Sequence, residues 1–250
     1  MTKTVLITGA AHRIGRAVAL GLAEDGWKIA IHYSNSANAA NELAQIITNK
    51  GGNAETLQAN LGDAGEANNL ISRAVETVGL LSALINNASV FERDEVTTLT
   101  DDSWDMHLNV NLKAPAILMR DFAKQAQAGG NIINIIDQRV WRLNPDFISY
   151  TVSKTGLWTL TQTFAQALAE QQIRVNGIGP GPTLANQRQN PEEFEKQTRL
   201  VPLGSGANPQ DIIDGVRYIL SAQAMTGQMI ALDGGQHLAW KTPDVTEVVE

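Results

Sequence analysis

The sequence predicts an α/β protein built on a single, doubly wound parallel sheet of about seven strands flanked by helices. Two observations carry this expectation. Short runs rich in valine, isoleucine and leucine alternate along the chain with longer segments of helical period, and such alternation builds right-handed strand–helix–strand units on one parallel sheet. The runs are also continuously apolar, as expected of strands covered on both faces.

The first strand is "TVLIT" (4–8), which enters a glycine loop and a helix over 14–25. "GW" at 26–27 ends that helix, and "KIAIHY" (28–33) is the second strand. A helix over 37–50 stops at "GG" 51–52, before "NAETLQA" (53–59), since glycine tolerates the left-handed turn that closes a helix. A helix over 64–78, the strand "SALINN" (82–87) and one long helix over 101–128 follow, the last stopped by "GG" at 129–130. "NIINII" (131–136), a helix over 149–171, "IRVNGI" (173–178), a helix over 209–223 and "MIALD" (229–233) complete the series. The polar, proline-bearing stretch 182–208 shows no strand, and a long excursion of this kind reads as a substrate lid. Residues 1–240 read as one Rossmann-type domain, with 241–250 as a loosely ordered tail.

Composition narrows the function. A net charge of −7 over 250 residues argues against nucleic acid or an anionic membrane as partner, although "HR" at 12–13 and "RVWR" at 139–142 suit small anions. There is no cysteine, hence no disulfide framework or thiolate chemistry. The four histidines, at 12, 32, 107 and 237, stand singly, so no metal is expected. The N-terminus lacks signal-peptide character, and no apolar stretch approaches the roughly 18 residues of a membrane span. The expected setting is cytoplasmic.

The loop Thr8-Gly9-Ala10-Ala11-His12-Arg13-Ile14-Gly15 lies between a strand and a helix, where a dinucleotide fingerprint belongs. Gly9 allows the tight turn, Gly15 brings the helix close to the sheet, and the helix N-terminus offers free N–H groups to a pyrophosphate. The cation Arg13 replaces the usual middle glycine. Sites selective for NAD place a carboxylate after the second strand to bind the ribose hydroxyls. Here that strand ends His32-Tyr33-Ser34-Asn35-Ser36, with no carboxylate before Glu42. These neutral donors beside His12 and Arg13 suit a 2′-phosphate and hence NADP(H); the alternative reading is a solvated helix N-cap at Ser36, and the two can hold at once.

Tyr150 and Lys154, in "SYTVSKTGL", stand four residues apart on one helix face. An ammonium near a phenol favours the phenolate and lowers its pKa toward a working range, though such a pair also arises by chance. Asp137 ends the strand "NIINIID", as a catalytic group or a strand-end cap, and Asn111 lies in the helical "LNVNLKAP". Together these residues resemble the short-chain dehydrogenase/reductase family over about 1–240. The carrying motifs are Thr8-Gly9…Gly15, "NNAS" at 86–89, Asn111, Tyr150 with Lys154, "GPGPT" at 179–183 and "LDGG" at 232–235. The resemblance implies that Asn111 holds a water against Lys154 in a proton relay. It implies that Pro180, Gly181, Thr183 and Leu184 cradle the nicotinamide end, and that Asn87 and Ala88 line the adenosine ribose. Asn60-Leu61 stand where the family usually has an aspartate beside the adenine.

Arg13, Asp137 in place of the family's usual serine, and Ser89 in place of the glycine of "NNAG" occur together in the pteridine-reductase and dihydromonapterin-reductase-like branch. That branch carries an aromatic residue soon after "NNAS", and Phe91 fits, with core packing as its other reading. The implied site has Arg13 and Ser89 on a pterin edge, Phe91 on its face and Asp137 beside Tyr150. An acidic side chain suits proton delivery to a ring nitrogen, whereas a ketone reductase needs a neutral hydroxyl to polarise a carbonyl. The leading expectation is an NADPH-dependent oxidoreductase acting on a small-molecule pterin or folate. A carbonyl reductase of the same family, for a sugar, steroid or 3-oxoacyl substrate, is the alternative; a non-catalytic NADP-sensing protein is the third. The family also implies a homotetramer, with Leu157, Leu160, Phe164 and Leu168 on helix faces for a two-fold mate.

Overall fold

Seven strands form one parallel sheet in the order β3-β2-β1-β4-β5-β6-β7 in a computed structural model that describes residues 3–126, 129–185 and 189–240. The strands are β1 (Thr4–Ile7), β2 (Lys28–Tyr33), β3 (Asn53–Gln58), β4 (Ala83–Asn86), β5 (Asn131–Ile135), β6 (Arg174–Pro180) and β7 (Met229–Leu232). The helices are α1 (Arg13–Glu24), α2 (Ala37–Asn49), α3 (Ala64–Val78), α4 (Asp101–Leu108), α5 (Ala114–Gln125), α6 (Ile148–Ala167), α7 (Pro191–Arg199) and α8 (Pro209–Ser221). Along β1 the side chains alternate between two cores: Val5 and Ile7 pack under α1, α2 and α8, while Leu6 packs under α3, α5 and α6. Burial on both faces is why the strands read as unbroken apolar runs. The chain steps outward from β1 to β3 and then returns to β4 on the other side of β1. The loops after β1 and β4 therefore diverge, which opens a crevice at the carboxyl ends of the strands.

Two expectations change. The single helix over 101–128 is α4 and α5 joined by a π-helical turn at Asn109–Lys113. Pro115 has no N–H for the carbonyl of Asn111, four residues before it, and the N–H of Ala114 reaches back to Asn109 instead. The α5 helix ends at Gln125; the remainder of the expected span, 127–128, lies outside the described residues, as do 186–188 of the 182–208 stretch and the tail 241–250. Within 182–208 stands α7, a helix not anticipated from sequence. Its signal was present: Asn190 and Glu193 form a reciprocal capping box and Pro191 takes the first turn.

Two of the four residues expected on a face for a two-fold mate, Leu157 and Leu168, are corrected. Leu157 and Leu168 are buried in the protein's own interior, whereas Leu160 and Phe164 are only partly buried where they pack against the core. Among the described residues no helix is long and apolar enough to cross a membrane.

One buried polar chain locks the sheet to α6. Asn86 Nδ2 donates to Asn134 Oδ1 at 2.8 Å, and Asn134 Nδ2 donates to Thr161 Oγ1 at 2.9 Å. Replacing Asn134 with valine keeps a strand-forming side chain but strands the Asn86 amide. The expected loss is about 1–3 kcal/mol, the usual cost of a buried donor left unpaired, read from urea unfolding; an unchanged midpoint would contradict this role.

Candidate active site

The crevice holds a cleft of about 720 Å³, and its floor is the junction of the β1 and β4 loops. Thr8 Oγ1 accepts from the amides of Asn87 and Ala88, at 2.9 and 3.0 Å. The Asn87 side chain donates back to the carbonyls of Thr8 and Gly9. This close join explains the small residues: a Cβ on Gly9 would stand 2.9 Å from Ala88 Cα, and one on Gly15 would stand 2.5 Å from the Gly9 carbonyl oxygen. Gly9 has φ +62° and Arg13 has φ +52°. A left-handed arginine is strained by about 1–3 kcal/mol, which accounts for glycine being usual at this position. Arg13 Nη2 donates to the carbonyl of Leu184 at 2.9 Å, so the loop is tied to the chain that follows "GPGPT".

The α1 and α2 helices begin at this cleft, and neither is capped by a side chain. His12 and Ser36 occupy the N-cap positions without a capping hydrogen bond. Their first-turn N–H groups and partial positive charge are thus left for an anion. His12, Arg13, Ile14 and Ser34 line the cleft. His32 does so from beneath, as a strut: its Nδ1 accepts from the Gly9 amide at 3.1 Å, so the ring proton lies on Nε2 and is donated to the Ala59 carbonyl at 3.0 Å. Burial holds this imidazole neutral, with its pKa lowered to about 4. Opposite, Gly181 N–H donates to the Leu232 carbonyl, and Thr183 Oγ1 donates to the Gly181 carbonyl at 3.0 Å. Asp233 folds the "LDGG" turn by accepting from the Gly235 and His237 amides.

At the far end, Tyr150 Oη donates to Asp137 Oδ2 at 2.8 Å, and Asp137 Oδ1 accepts from the Arg139 amide at 2.8 Å. Burial pushes the Asp137 carboxyl above the usual carboxylate range. The Tyr150 phenol is pushed well up by burial first, then by the charge of Asp137 and the hydrogen bond to it, with Arg139 and Arg13 opposing. Lys154 Nζ donates to the Ile135 carbonyl at 2.8 Å, and burial lowers its pKa to about 8. This arrangement can hold one proton between a phenol and a carboxyl and pass it to an acceptor in the cleft. Phe91 stands beside it, edge-on to Tyr150 with ring centroids 4.6 Å apart and stacked on Phe147 at 4.4 Å and 10°. The Arg139 guanidinium lies over both phenyl rings, 5.8 and 4.9 Å from their centroids.

The family profile described as Enoyl-(Acyl carrier protein) reductase matches residues 9–237. A 3-oxoacyl-[acyl-carrier-protein] reductase, FabG, of Staphylococcus aureus (strain Mu50 / ATCC 700699) is 32% identical over 244 residues, covering 95% of this chain and 99% of the relative. The chain belongs to the short-chain dehydrogenase/reductase family. Among solved members, FolM Alternative dihydrofolate reductase 1 from Brucella canis, complexed with NADP, is 48% identical with a TM-score of 0.94, covering 98% of this chain and 97% of that one. The angucycline C-6 ketoreductase LanV, with bound NADP, is 33% identical with a TM-score of 0.89, covering 95% of this chain and 96% of that one.

For a short-chain dehydrogenase/reductase the expected site residues gather well. Gly9, His12, Arg13, Ile14, Ser34, Asn60, Leu61, Asn87, Ala88, Ser89, Phe91, Asp137, Tyr150, Lys154, Pro180, Gly181, Thr183 and Leu184 all line one cleft. Three readings are corrected, those of Tyr33, His32 and the ionisation of Tyr150. Tyr33 packs on the core under α1 and does not line the cleft. Both His32 ring nitrogens are spent within the protein, so it is no phosphate donor. Asn111 does not line the cleft; its side-chain amide is bonded to both backbone groups of Val90 and to Ser153 Oγ and so pins that loop. Tyr150 is driven toward the protonated phenol, not toward phenolate. Sequence reasoning missed Arg139 and Phe147; "RVWR" was noticed only as a charge cluster, and nothing local ties Phe147 to Phe91.

His32 makes the glycine loop acid-sensitive. Its folded pKa is depressed, so its stabilisation is fully present above the ordinary value of 6.5 and is lost as pH falls from there toward about 4. That window carries on the order of 3 kcal/mol. Unfolding free energies of the wild type and His32→Gln, compared between these pH values, should converge by about that amount; parallel curves would contradict it.

Proposed function

We propose that this protein is an NADPH-dependent reductase of a pterin-type substrate, a dihydropterin or a dihydrofolate, working in the cytoplasm. The observation that carries the reading is the Tyr150–Asp137 hydrogen bond at 2.8 Å beside the Phe91 ring. A carboxyl in that place keeps the phenol protonated, which suits transfer of a proton to a ring nitrogen, and a phenyl face suits a flat heterocycle. The 48% identity to a protein named an alternative dihydrofolate reductase supports the same reading.

The cradle fits a dinucleotide. Side chains are excluded at Gly9 and Gly15, two helix N-termini are uncapped, and no carboxylate follows β2 before Glu42. Arg13, Ser34 and the open end of α2 would hold the 2′-phosphate corner, and Pro180, Gly181 and Thr183 the nicotinamide end. When bound, NADPH supplies the hydride for the carbon of a C=N bond. Tyr150 gives its proton to the nitrogen of that bond. Arg13 and Arg139, whose charges act on the phenol, stabilise the phenolate left behind, and Asp137 returns a proton to it when its carboxyl is protonated. Lys154, fixed on the Ile135 carbonyl, lies 5.8 Å from the Tyr150 ring centroid and adds positive charge. For the assembly we propose a homotetramer, to which the exposed Trp141, Leu143, Leu238 and Trp240 offer apolar surface.

The second reading, a carbonyl reductase, is favoured by the likeness to 3-oxoacyl-[acyl-carrier-protein] reductases. NADPH oxidation with dihydrobiopterin, dihydromonapterin, dihydrofolate and a β-keto ester separates the two. Turnover of a pterin or folate is expected; turnover of the ester alone would overturn the proposal. Tyr150→Phe should cut turnover by ~10²–10⁴-fold, the usual worth of positioned proton transfer, with NADPH affinity nearly intact. The rate should be highest at mildly acidic pH, falling as pH rises through the raised Asp137 value and again through about 8 as Lys154 loses its proton. Asp137→Ser should remove the first fall. In a separate test, Ser34→Asp should shift preference from NADPH toward NADH by repelling the 2′-phosphate; unchanged selectivity would refute the assigned corner.

A further inference from the structure

Behind the cleft lies a buried cluster that the chemistry above does not use. Asp94 is 1% exposed, and His107 and Ser149 are fully buried. The Asp94 carboxylate accepts from the Ser149 amide at 3.3 Å, from Ser103 Oγ at 3.1 Å and, in a short contact, from Ser149 Oγ. Its backbone carbonyl accepts from the Phe147 amide at 2.8 Å. Burial acts to raise its pKa, but hydrogen bonds from Ser149, Ser103 and the Ile148 amide outweigh it and hold the group ionised. His107 Nε2 accepts from the Glu92 amide at 3.0 Å, so its Nδ1 carries the proton toward the Ser103 carbonyl and Ser149 Oγ, each 2.8 Å away. Aspartate, histidine and serine here have the composition of a nucleophilic triad but not its order. The serine gives its proton to the carboxylate directly, and none of the three lines the cleft.

The cluster has a positional consequence. Phe147 occupies the N-cap of α6 at φ +60° and offers no capping side chain, so Asp94 caps the helix from 55 residues away in sequence. The same residue belongs to the loop that carries Phe91, while α6 carries Tyr150 three residues beyond the cap. We propose that Asp94 is a positioning residue that sets the distance between the Phe91 wall and the Tyr150 hydroxyl, with His107 fastening the same loop to α4 through Glu92. It therefore governs how a flat substrate ring lies against the proton donor. This rests on the reading of Tyr150 and Phe91 as substrate-facing groups.

The test is a double-mutant cycle on kcat/KM, with Asp94→Asn and Phe91→Ala singly and together, and Ser149→Ala as a milder probe that removes one donor. The substrate is whichever of dihydropterin, dihydrofolate and β-keto ester the wild type turns over. Asp94→Asn is expected to lower kcat/KM about tenfold with the NADPH Kd within twofold, and Ser149→Ala to lower it less. In the Phe91→Ala background the Asp94→Asn loss should shrink to under threefold, because the wall it positions is gone. Equal losses in both backgrounds, or a loss matched by weakened NADPH binding, would mean a general structural role and overturn the proposal; no loss at all would also overturn it. Should the wild type reduce only the ester, the pterin reading fails while the cycle still reports on Asp94. If Asp94→Asn does not fold, Ser149→Ala in both backgrounds decides by the same criterion.

Discussion

The hydrogen bond from Tyr150 to Asp137 is the interaction on which the chemistry of this site depends. A phenol buried next to a carboxylate cannot ionise easily, since burial penalises the new charge and the existing anion repels it. The sheet makes the pairing possible. Asp137 follows β5 directly, and α6 returns across the same strand end with Tyr150 in its first turn. Lys154, one turn further along α6, is kept on the Ile135 carbonyl of that same strand. A hydroxyl in place of Asp137 would leave the phenol freer to ionise; in the function we propose, the carboxyl keeps it a proton donor with a second proton-holding group behind it.

The helix starts divide into two kinds. Side chains cap α3 through Asp63, α4 through Thr100, α7 through Asn190 and α8 through Asn208 in the ordinary way. The α1, α2 and α6 starts are not capped by their own N-cap side chains. The α1 and α2 termini are left available to an anion, and α6 is capped by the distant Asp94. Of the three described non-glycine residues in the left-handed region, Arg13, Phe147 and Gln172, the first two stand at the starts of α1 and α6. Such strain persists only where surrounding contacts hold it: Arg13 has the Leu184 carbonyl and Phe147 has the ring of Phe91 and the carbonyl of Asp94.

Much of this was legible in the sequence because it is written locally. The strands announced themselves as unbroken apolar runs, and the glycine loop, "NNAS", Tyr150 with Lys154 and "GPGPT" are short motifs whose residues face one crevice once the sheet order is set. What failed to read has a physical cause in each case. The helix over 101–128 looked continuous because its break comes from a single missing N–H at Pro115. The helix α7 has no apolar face strong enough to show its period, although its capping box was there to see. His32 looked like a free donor because its partners, Gly9 and Ala59, come from two other strand ends. Asp94 and Phe147 were silent because they meet Ser149 and Phe91 from more than fifty residues away, and Arg139 because charge alone does not say which ring a side chain will cover.

Tyrosinate absorbance measured against pH tests the central claim most directly. The chain has three tyrosines, so the difference between the wild type and Tyr150→Phe isolates one of them. A phenol held by Asp137 should contribute nothing to the titration until pH is well above its ordinary value of 10.0, and Asp137→Ser should bring that transition down. A Tyr150 component ionising near neutral pH in the wild type would contradict the account.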